Sequence, residues 1–568
     1  MPLAYRIHTA PSDAALRQGA RIGSNMAIVY SVGPCGALRF DRDPASGRVT
    51  DEFPIYFPDY PKVGIPRRRD DAAWIEPFRA RLRKRCDLAE SLGVTPVFHL
   101  YEPMLPLAFE AEYPDLVKVW QRPTQEGAKP FHTLLDPDRE ETWALIRAKY
   151  RELARDFPKV GMYVITTGDT ASAFWCVPKA RMPVADRLAR MAREAREGIR
   201  EAGSRAVVCV RLWWRNFPDE LYRDGHRLIG EVTGLGDAAG DLMSPIGRPH
   251  NDPSVVLPRL FEQLPPDVPV MYKSTRMDYH ENTPLSHALG RYPRDRAQIL
   301  EISYEVAHET PFRWCKVRHI RKGLDAVREH NLAGYMSLAI NMGNNTETED
   351  PESGGLGRMN TWLFEQLAKG DMRDDGALVA TWLEREFGAP APAVVVAALL
   401  DAEELVNDGL HWGRGIRNRV PFASPHTTRL YWMFDGFIQP DFPYKMANPD
   451  RDTLESLIRT KEAAHERVRG YLAKFDAARD AIPPKLFAEI REDFQTLADV
   501  ILLQKDWGAY ILTLYGIEKG VFPADRPTLG RMSRHAETFI RNLLRLADTP
   551  AGRMAREEIA FPDNFPLT

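Results

Sequence analysis

The sequence has few cysteines for its length and no segment apolar enough to cross a membrane. Only 5 of its 568 residues are cysteine, and no two of them form a C-x-x-C pair, which argues against a disulfide framework or a zinc knuckle. No run of about 18 apolar residues occurs, so no membrane span is expected. The N-terminus lacks a basic stretch followed by an apolar one and does not resemble a signal peptide. These absences favour a cytoplasmic protein.

The sequence also lacks an excess of charge of either sign. It has 76 Lys and Arg against 79 Asp and Glu, a formal net charge of −3, which gives no reason to expect nucleic acid or a membrane surface as a partner. No H-x-H pair and no clustered His and Asp set occurs, so neither a metal nor a cofactor is expected. With 44% hydrophobic residues, the composition is that of a folded protein, and its length predicts two or three domains.

What the sequence does contain is a series of short apolar runs separated by helix-like stretches. Continuous apolar runs of this length are typical of strands buried on both faces of a parallel sheet, and eight of them favour a closed barrel. The predicted strands are Ala27–Val32, Val94–Tyr101, Gly161–Thr166, Ala206–Leu212, Asp241–Ser244, Val268–Lys273, Ile299–Tyr304 and Ala333–Ile340. The sequence therefore predicts an α/β protein, a (β/α)₈ TIM barrel.

After about Asn360 the strand pattern disappears and long amphipathic segments take its place. They predict an all-helical C-terminal domain. We therefore expect an N-terminal tail over residues 1–20, a barrel over 21–385 and a helical domain over 386–568.

Polar side chains close several of the predicted strands, where barrel enzymes carry their active sites. Three are carboxylates: Asp169, Asp278 and Glu305. Further candidates for binding a substrate are Lys273, Arg211, Trp213, Trp214, Arg276, His99 and Tyr279. The basic residues would attract an anionic sugar and the tryptophans would stack on a sugar face. Three carboxylates allow one general acid, one general base and a helper, which is the set that cleavage of a glycosidic bond requires.

Structural roles remain open for each of these carboxylates. Asp169 follows a glycine, where an Asp is often a helix N-cap. Asp278 could be a solvated loop acid, and Glu305 could form an ion pair with Arg211 or Arg276. His99 could touch a sugar hydroxyl or be a buried histidine paired with backbone.

The stretch from Lys273 to Pro284 reads KSTRMDYHENTP, and Ile299 to Glu305 reads ILEISYE. These motifs, with Arg211 in VCVRLWWRN, resemble the α-glucuronidases of glycoside hydrolase family 67 in order and spacing. The resemblance runs from about Pro96 to Gly388. Family members remove glucuronic or 4-O-methylglucuronic acid from xylan fragments by an inverting mechanism.

The resemblance implies that Asp278 and Glu305 form the general-base pair and that Arg211 helps to hold the sugar carboxylate. The family's acid is a Glu after the third strand, and the nearest carboxylate here is Asp169. The family's neighbouring Lys is replaced by Ile165 or Thr166, and its β-rich N-terminal domain is missing. The reaction type is therefore implied more strongly than the identity of the sugar.

The sequence thus predicts an exo-acting, inverting glycoside hydrolase that removes an acidic, α-glucuronic-acid-like sugar from an oligosaccharide. Exo action is favoured because the loop over Pro34–Arg69 is long enough to close a pocket. Two alternatives stay open: a retaining glycosidase of another specificity and a non-catalytic carbohydrate-binding barrel. The sequence also leaves open a homodimer formed through the helical domain.

Overall fold

The structure is a computed structural model. It describes residues 3–10, 12–32, 69–102, 113–120, 132–166, 181–212, 253–273, 285, 289, 296–303, 312–338, 355–410 and 449–559. The chain divides into two compact units. Unit 1 comprises Met1–Ser274, Ser286–Ser303 and Asp325–Met342, and unit 2 comprises Thr275–Leu285, Tyr304–Leu324 and Gly343–Thr568.

Unit 1 contains a closed barrel of parallel strands. In chain order its strands are β1 Tyr5–Thr9, β2 Met26–Val32, β3 Thr95–Tyr101, β6 Met162–Thr166, β7 Val207–Leu212, β8 Val270–Lys273, β9 Gln298–Ser303 and β10 Gly334–Leu338. Each strand pairs with the next, and β10 closes the barrel against β1. The insertion between β3 and β6 adds a two-stranded antiparallel sheet, β4 Val117–Trp120 and β5 His132–Leu135.

Helices follow most of the barrel strands along the chain. They are α1 Asp13–Arg21, α2 Arg69–Ser91, α3 Glu140–Asp156, α4 Val184–Glu201, α5 Pro253–Gln263 and α6 Val317–Glu329. In α4 the buried residues Leu188, Ala192, Ala195 and Ile199 recur every three or four positions, so one face of the helix is apolar. The prediction of a (β/α)₈ barrel followed by a helical region is confirmed.

The first strand of the barrel lies inside the segment predicted to be an N-terminal tail. Tyr5–Thr9 pairs with both β2 and β10, so residues 5–9 belong to the barrel. The predicted strand Asp241–Ser244 lies outside the described residues, and in the barrel β7 pairs directly with β8. The predicted set therefore omitted one true strand of the barrel, β1.

The interior of the barrel is an apolar cluster to which every strand contributes. Its members are Ile7, Met26, Ile28, Val97, Met162, Val164, Cys209, Met271, Ile299 and Met336. Successive side chains of a strand point to opposite faces, so the residue two positions further on also points inward. Bulky apolar side chains therefore fill the barrel, and the residues that follow them decide what its C-terminal end presents.

Unit 2 contains the long helices of the C-terminal half. They are α7 Met359–Ala368, α8 Asp375–Phe387, α9 Ala393–Leu410, α10 Arg451–Ala477, α11 Pro484–Glu518, α12 Arg526–Arg545 and α13 Pro550–Ile559. The N-caps of α8, α10 and α12 are aspartates: Asp374, Asp450 and Asp525 each accept a hydrogen bond from a backbone N–H three residues on. Gly388 ends α8 at φ 74°, a conformation that favours glycine.

Candidate active site

Besides β1, where Thr9 follows Ile7, five barrel strands change from apolar to polar at the inward position two residues after their apolar cluster member. These five residues, here called the inner polar layer, are His99, Thr166, Arg211, Lys273 and Glu301, on β3, β6, β7, β8 and β9. All of them lie toward the C-terminal ends of parallel strands, and all but the half-buried Lys273 are almost completely buried. The layer is therefore the polar base of the C-terminal mouth, where barrel enzymes bind their substrates.

Inside the barrel, Arg211 on β7 and Glu301 on β9 form a bidentate ion pair. Arg211 Nη2 donates to Glu301 Oε1 at 2.7 Å, and Arg211 Nε donates to Glu301 Oε2. The exposed fractions of the two residues are 3% and 0%. A guanidinium and a carboxylate this deeply buried must compensate each other, because an unpaired charge in this position would be very costly. The pair therefore fixes the orientation of the guanidinium.

Hydrogen bonds continue from Arg211 to β2. Its Nη1 donates to Thr166 Oγ1 at 3.3 Å, and Thr166 Oγ1 lies 2.7 Å from His99 Nε2. His99 Nδ1 lies 3.2 Å from Ser31 Oγ. Five strands are thus connected through side chains that meet inside the barrel.

The electrostatics of the layer keep His99 neutral. Burial, the positive charge of Arg211 and that of Lys273 all lower the pKa of His99 well below its ordinary value. A neutral imidazole accepts a hydrogen bond at one ring nitrogen and donates one from the other, and with a lowered pKa it does not take up a second proton near neutral pH. Lys273 pairs in register with Glu301 on the neighbouring strand, so two cations and one carboxylate lie close together in the layer.

A second buried carboxylate, Glu102, directly follows β3 and serves the structure of the barrel wall. Its Oε1 accepts from Lys149 Nζ at 2.7 Å and from the Tyr150 hydroxyl at 2.9 Å, both on α3. Glu102 and Lys149 are each 1% exposed. Burial first, and the Glu102 carboxylate second, raise the pKa of Tyr150 well above its ordinary value. A strand-end carboxylate can therefore be fully engaged in anchoring a helix.

The described residues include three of the predicted site residues and exclude the other seven. Arg211, Lys273 and His99 all belong to the inner polar layer. Outside the described residues lie Asp169, Asp278, Glu305, Trp213, Trp214, Arg276 and Tyr279. Arg211 was predicted to bind a substrate carboxylate, but a carboxylate of the protein, Glu301, already accepts from two of its nitrogens. The contact predicted between Arg211 and a substrate carboxylate stays a prediction.

Glu301, Thr166 and Ser31 were not predicted from the sequence. The signal was present in the alternation: Ile299 and Glu301 share one face of β9, as Val164 and Thr166 share one face of β6. A charged residue two positions after a buried core residue indicates a polar layer at that end of the barrel.

Among the described residues no cluster of three or more His, Cys, Asp or Glu side chains is arranged to hold a metal ion. Within the same part of the chain, no helix combines the length and apolar character needed to span a bilayer.

No family model matches the chain, and no curated protein matches it. Among solved structures it is similar to one described as a GH138 enzyme targeting pectin rhamnogalacturonan II, at 11% identity and a TM-score of 0.58. That match covers 96% of this chain, which spans only 62% of the other. At this identity the likeness shows the fold.

Two further solved structures have TM-scores too low to support an argument. An O-GlcNAc hydrolase of Thermobaculum terrenum is 10% identical, with 98% of this chain and 94% of that chain covered and a TM-score of 0.41. CpGH84B is 12% identical, with 98% and 77% covered and a TM-score of 0.38. The resemblance to family 67 has no matching family model behind it and stays a prediction.

Proposed function

We propose that this protein is a glycoside hydrolase that removes an acidic sugar from an oligosaccharide at the C-terminal mouth of its barrel. The observation that carries the proposal is the inner polar layer, in which Arg211, Lys273 and Glu301 lie at the base of that mouth. Among the described residues the layer offers two cations and one carboxylate, and a cation at this position can bind an anionic ligand. The fold likeness to a barrel enzyme described as targeting pectin supports a carbohydrate as substrate.

The catalytic groups we propose are Asp278, assisted by Glu305, as general base and Asp169 as general acid. They follow β8, β9 and β6 in the sequence by five, two and three residues respectively. The roles rest on the position of these residues after barrel strands and on the resemblance to family 67. An inverting mechanism requires the acid and base carboxyls to be roughly 6.5–9.5 Å apart, and a retaining one about 5–5.5 Å.

Lys273 is the residue of the layer that we propose for contact with a substrate carboxylate. It is half-buried at the end of β8, whereas Arg211 is held by Glu301 and His99 is neutral. This moves the recognition of the acidic group from Arg211 to Lys273. His99 is then a fixed hydrogen-bonding group near the sugar, and the proton transfers of the reaction belong to the carboxylates.

The test is to incubate the protein with acidic and neutral oligosaccharides, including glucuronyl-xylo-oligosaccharides, and to identify released monosaccharides by chromatography. We expect release of a uronic acid that is lost in Asp278→Asn. Lys273→Met should lower kcat/KM about 10- to 100-fold for an acidic substrate, the effect of losing one charge-assisted hydrogen bond, and much less for a neutral one. Lys159→Met, which removes an exposed lysine paired with Asp87 and Glu90, is the matched control.

The other outcomes are equally informative. NMR of the released sugar that shows retention of anomeric configuration would replace the inverting mechanism with a retaining one. Binding without turnover, unchanged in Asp278→Asn, would replace the enzyme with a carbohydrate-binding barrel. Equal loss of activity on acidic and neutral substrates in Lys273→Met would remove the proposed specificity while leaving the hydrolase assignment intact.

A further inference from the structure

Because Arg211 can only donate, it determines which atom donates and which accepts in each hydrogen bond of the series that runs from Arg211 through Thr166 and His99 to Ser31. A guanidinium has five N–H donors and no acceptor, so Thr166 Oγ1 must accept from Arg211 Nη1. The hydroxyl of Thr166 still has one proton to donate. Since Thr166 is 0% exposed, that proton needs a partner inside the protein.

His99 is the partner that the geometry offers. Its Nε2 lies 2.7 Å from Thr166 Oγ1, and among the described residues no other acceptor is in reach of that hydroxyl. If Thr166 donates to Nε2, the proton of the neutral imidazole is on Nδ1, and Nδ1–H donates to Ser31 Oγ at 3.2 Å. The opposite tautomer would direct a second donor at Thr166 Oγ1 and leave the buried Thr166 proton without an acceptor.

Glu301 controls this direction because it holds the first donor in place. Its two carboxylate oxygens accept hydrogen bonds from Nε and Nη2 of Arg211, and Nη1 donates to Thr166. We infer that Glu301 is a positioning residue, which through Arg211 and Thr166 fixes His99 as the Nδ1–H tautomer and leaves the Ser31 hydroxyl as a donor at the end of the series. Ser31 is half-buried on β2, and its proton is available to a ligand.

The inference deepens the proposed function, and its role in sugar binding rests on that function, but the tautomer of His99 is independent of any activity. The neutral state of His99 is supported by burial and by the charges of Arg211 and Lys273, all of which lower its pKa. An ordered series of donors is rigid in a way that a single hydrogen bond is not, because each member sets the role of the next.

The experiment uses the full-length protein with nitrogen-15 in its histidine rings, and His99→Gln assigns the His99 signals. We expect the Nδ1–H tautomer at pH 7, with the ring still neutral at pH 6.5, where an ordinary histidine is half protonated. In Glu301→Gln the anchor of Arg211 is weakened, and His99 should become a mixture of tautomers. The matched control is Glu152→Gln, which removes a carboxylate from another buried arginine, Arg79, outside this series.

An Nε2–H tautomer in the wild type would overturn the inference, as would an unchanged His99 spectrum in Glu301→Gln. If that variant does not fold, Arg211→Lys replaces it, because lysine keeps a cation for Glu301 but has no second nitrogen to reach Thr166. On an active protein, Glu301→Gln should also lower kcat/KM about tenfold, the loss of one hydrogen bond. A wild type that releases no sugar would remove the proposed function and leave the tautomer test intact.

Discussion

His8 shows how far a single buried side chain ties the stability of the barrel to pH. It lies on β1 with an exposed fraction of 0%, and its Nδ1 is 2.8 Å from the hydroxyl of Ser337 on β10. Helix α1 lies close against the ring: a Cβ built at Gly19 would be 2.7 Å from His8 Cδ2. Burial lowers the pKa of His8 from its ordinary 6.5 to about 4.

The sign of the effect follows from the two pKa values. The unfolded chain takes up the His8 proton near pH 6.5 and the folded chain only near pH 4, so the stability is fully present above pH 6.5 and is lost as the pH falls toward 4. We expect about 2 kcal/mol of this loss between pH 7 and pH 5. In His8→Asn, urea midpoints at the two pH values should lie closer together than in the wild type, and an equal drop would contradict the prediction.

At the scale of residues, the sequence was sufficient where a strand ended in a polar group and insufficient where a partner came from a distant strand. Lys273 and Arg211 could be identified because they stand at the ends of apolar runs. That Arg211 pairs with Glu301 depends on the pairing of both β7 and β9 with β8, which brings side chains 90 residues apart in sequence to hydrogen-bonding distance. Strand alternation predicts that both point inward, but it does not reveal which charges meet.

Two helices of the barrel layer cross with almost no space between their backbones. At Gly198 on α4, a built Cβ would lie 2.2 Å from the Arg147 carbonyl oxygen and 2.9 Å from the Arg151 nitrogen on α3. Because backbone atoms of a packed helix cannot move aside independently, any side chain at this position forces the two helices apart. The crossing therefore depends on glycine at position 198.

Gly198→Ala should cost roughly 1–3 kcal/mol in the free energy of unfolding, the range for an overpacked core. Gly470→Ala is the matched change, because Gly470 is exposed within α10 and no atom lies within 4 Å of its built Cβ. There alanine should stabilise the helix by about 0.5–1 kcal/mol. Urea unfolding of the two variants should shift the midpoint in opposite directions, and a neutral Gly198→Ala would show that the crossing can relax.

Elements with a clear hydrophobic period were predictable, and those without one were not. Helix α4, Val184–Glu201, could be predicted from the sequence because its buried face repeats regularly. The end of helix α11 at Glu518 could not be predicted in this way, because the second half of the helix is buried on nearly all sides and lacks the amphipathic period. Strand β1 was missed because Tyr-Arg-Ile-His-Thr alternates polar and apolar residues, unlike the continuous runs of the other strands.

At the scale of the whole molecule, unit 2 draws on segments from both sides of the predicted boundary between residues 385 and 386. The segment Tyr304–Leu324, which precedes β10 in the chain, belongs to unit 2. Arg313 Nε donates to Asp493 Oδ2 at 2.9 Å, and the His319 backbone N–H donates to Glu403 at 3.4 Å. The predicted boundary between residues 385 and 386, like the predicted homodimer, stays a prediction.

Truncation after residue 385 tests that boundary. The shortened chain would keep Arg313 and the buried His319 but lose Asp493 and Glu403, their acidic partners. It would also lose Glu489, which accepts from the backbone N–H of Leu356 at 2.8 Å. Buried groups deprived of their partners each destabilise a fold by about 1–3 kcal/mol, more when charged, and several such losses approach the whole stability of a domain.

We therefore expect chain 1–385 to be insoluble, or to lack a cooperative unfolding transition when circular dichroism is followed in urea. The full chain, expressed in parallel, is the control. A soluble 1–385 chain with a sharp transition would show that the barrel folds without residues 386–568, since only an intact core unfolds cooperatively. The contacts that Arg313 and His319 make with residues after 385 would then contribute little to the stability of the shortened chain, and the boundary predicted from the loss of strand periodicity would be a true folding boundary.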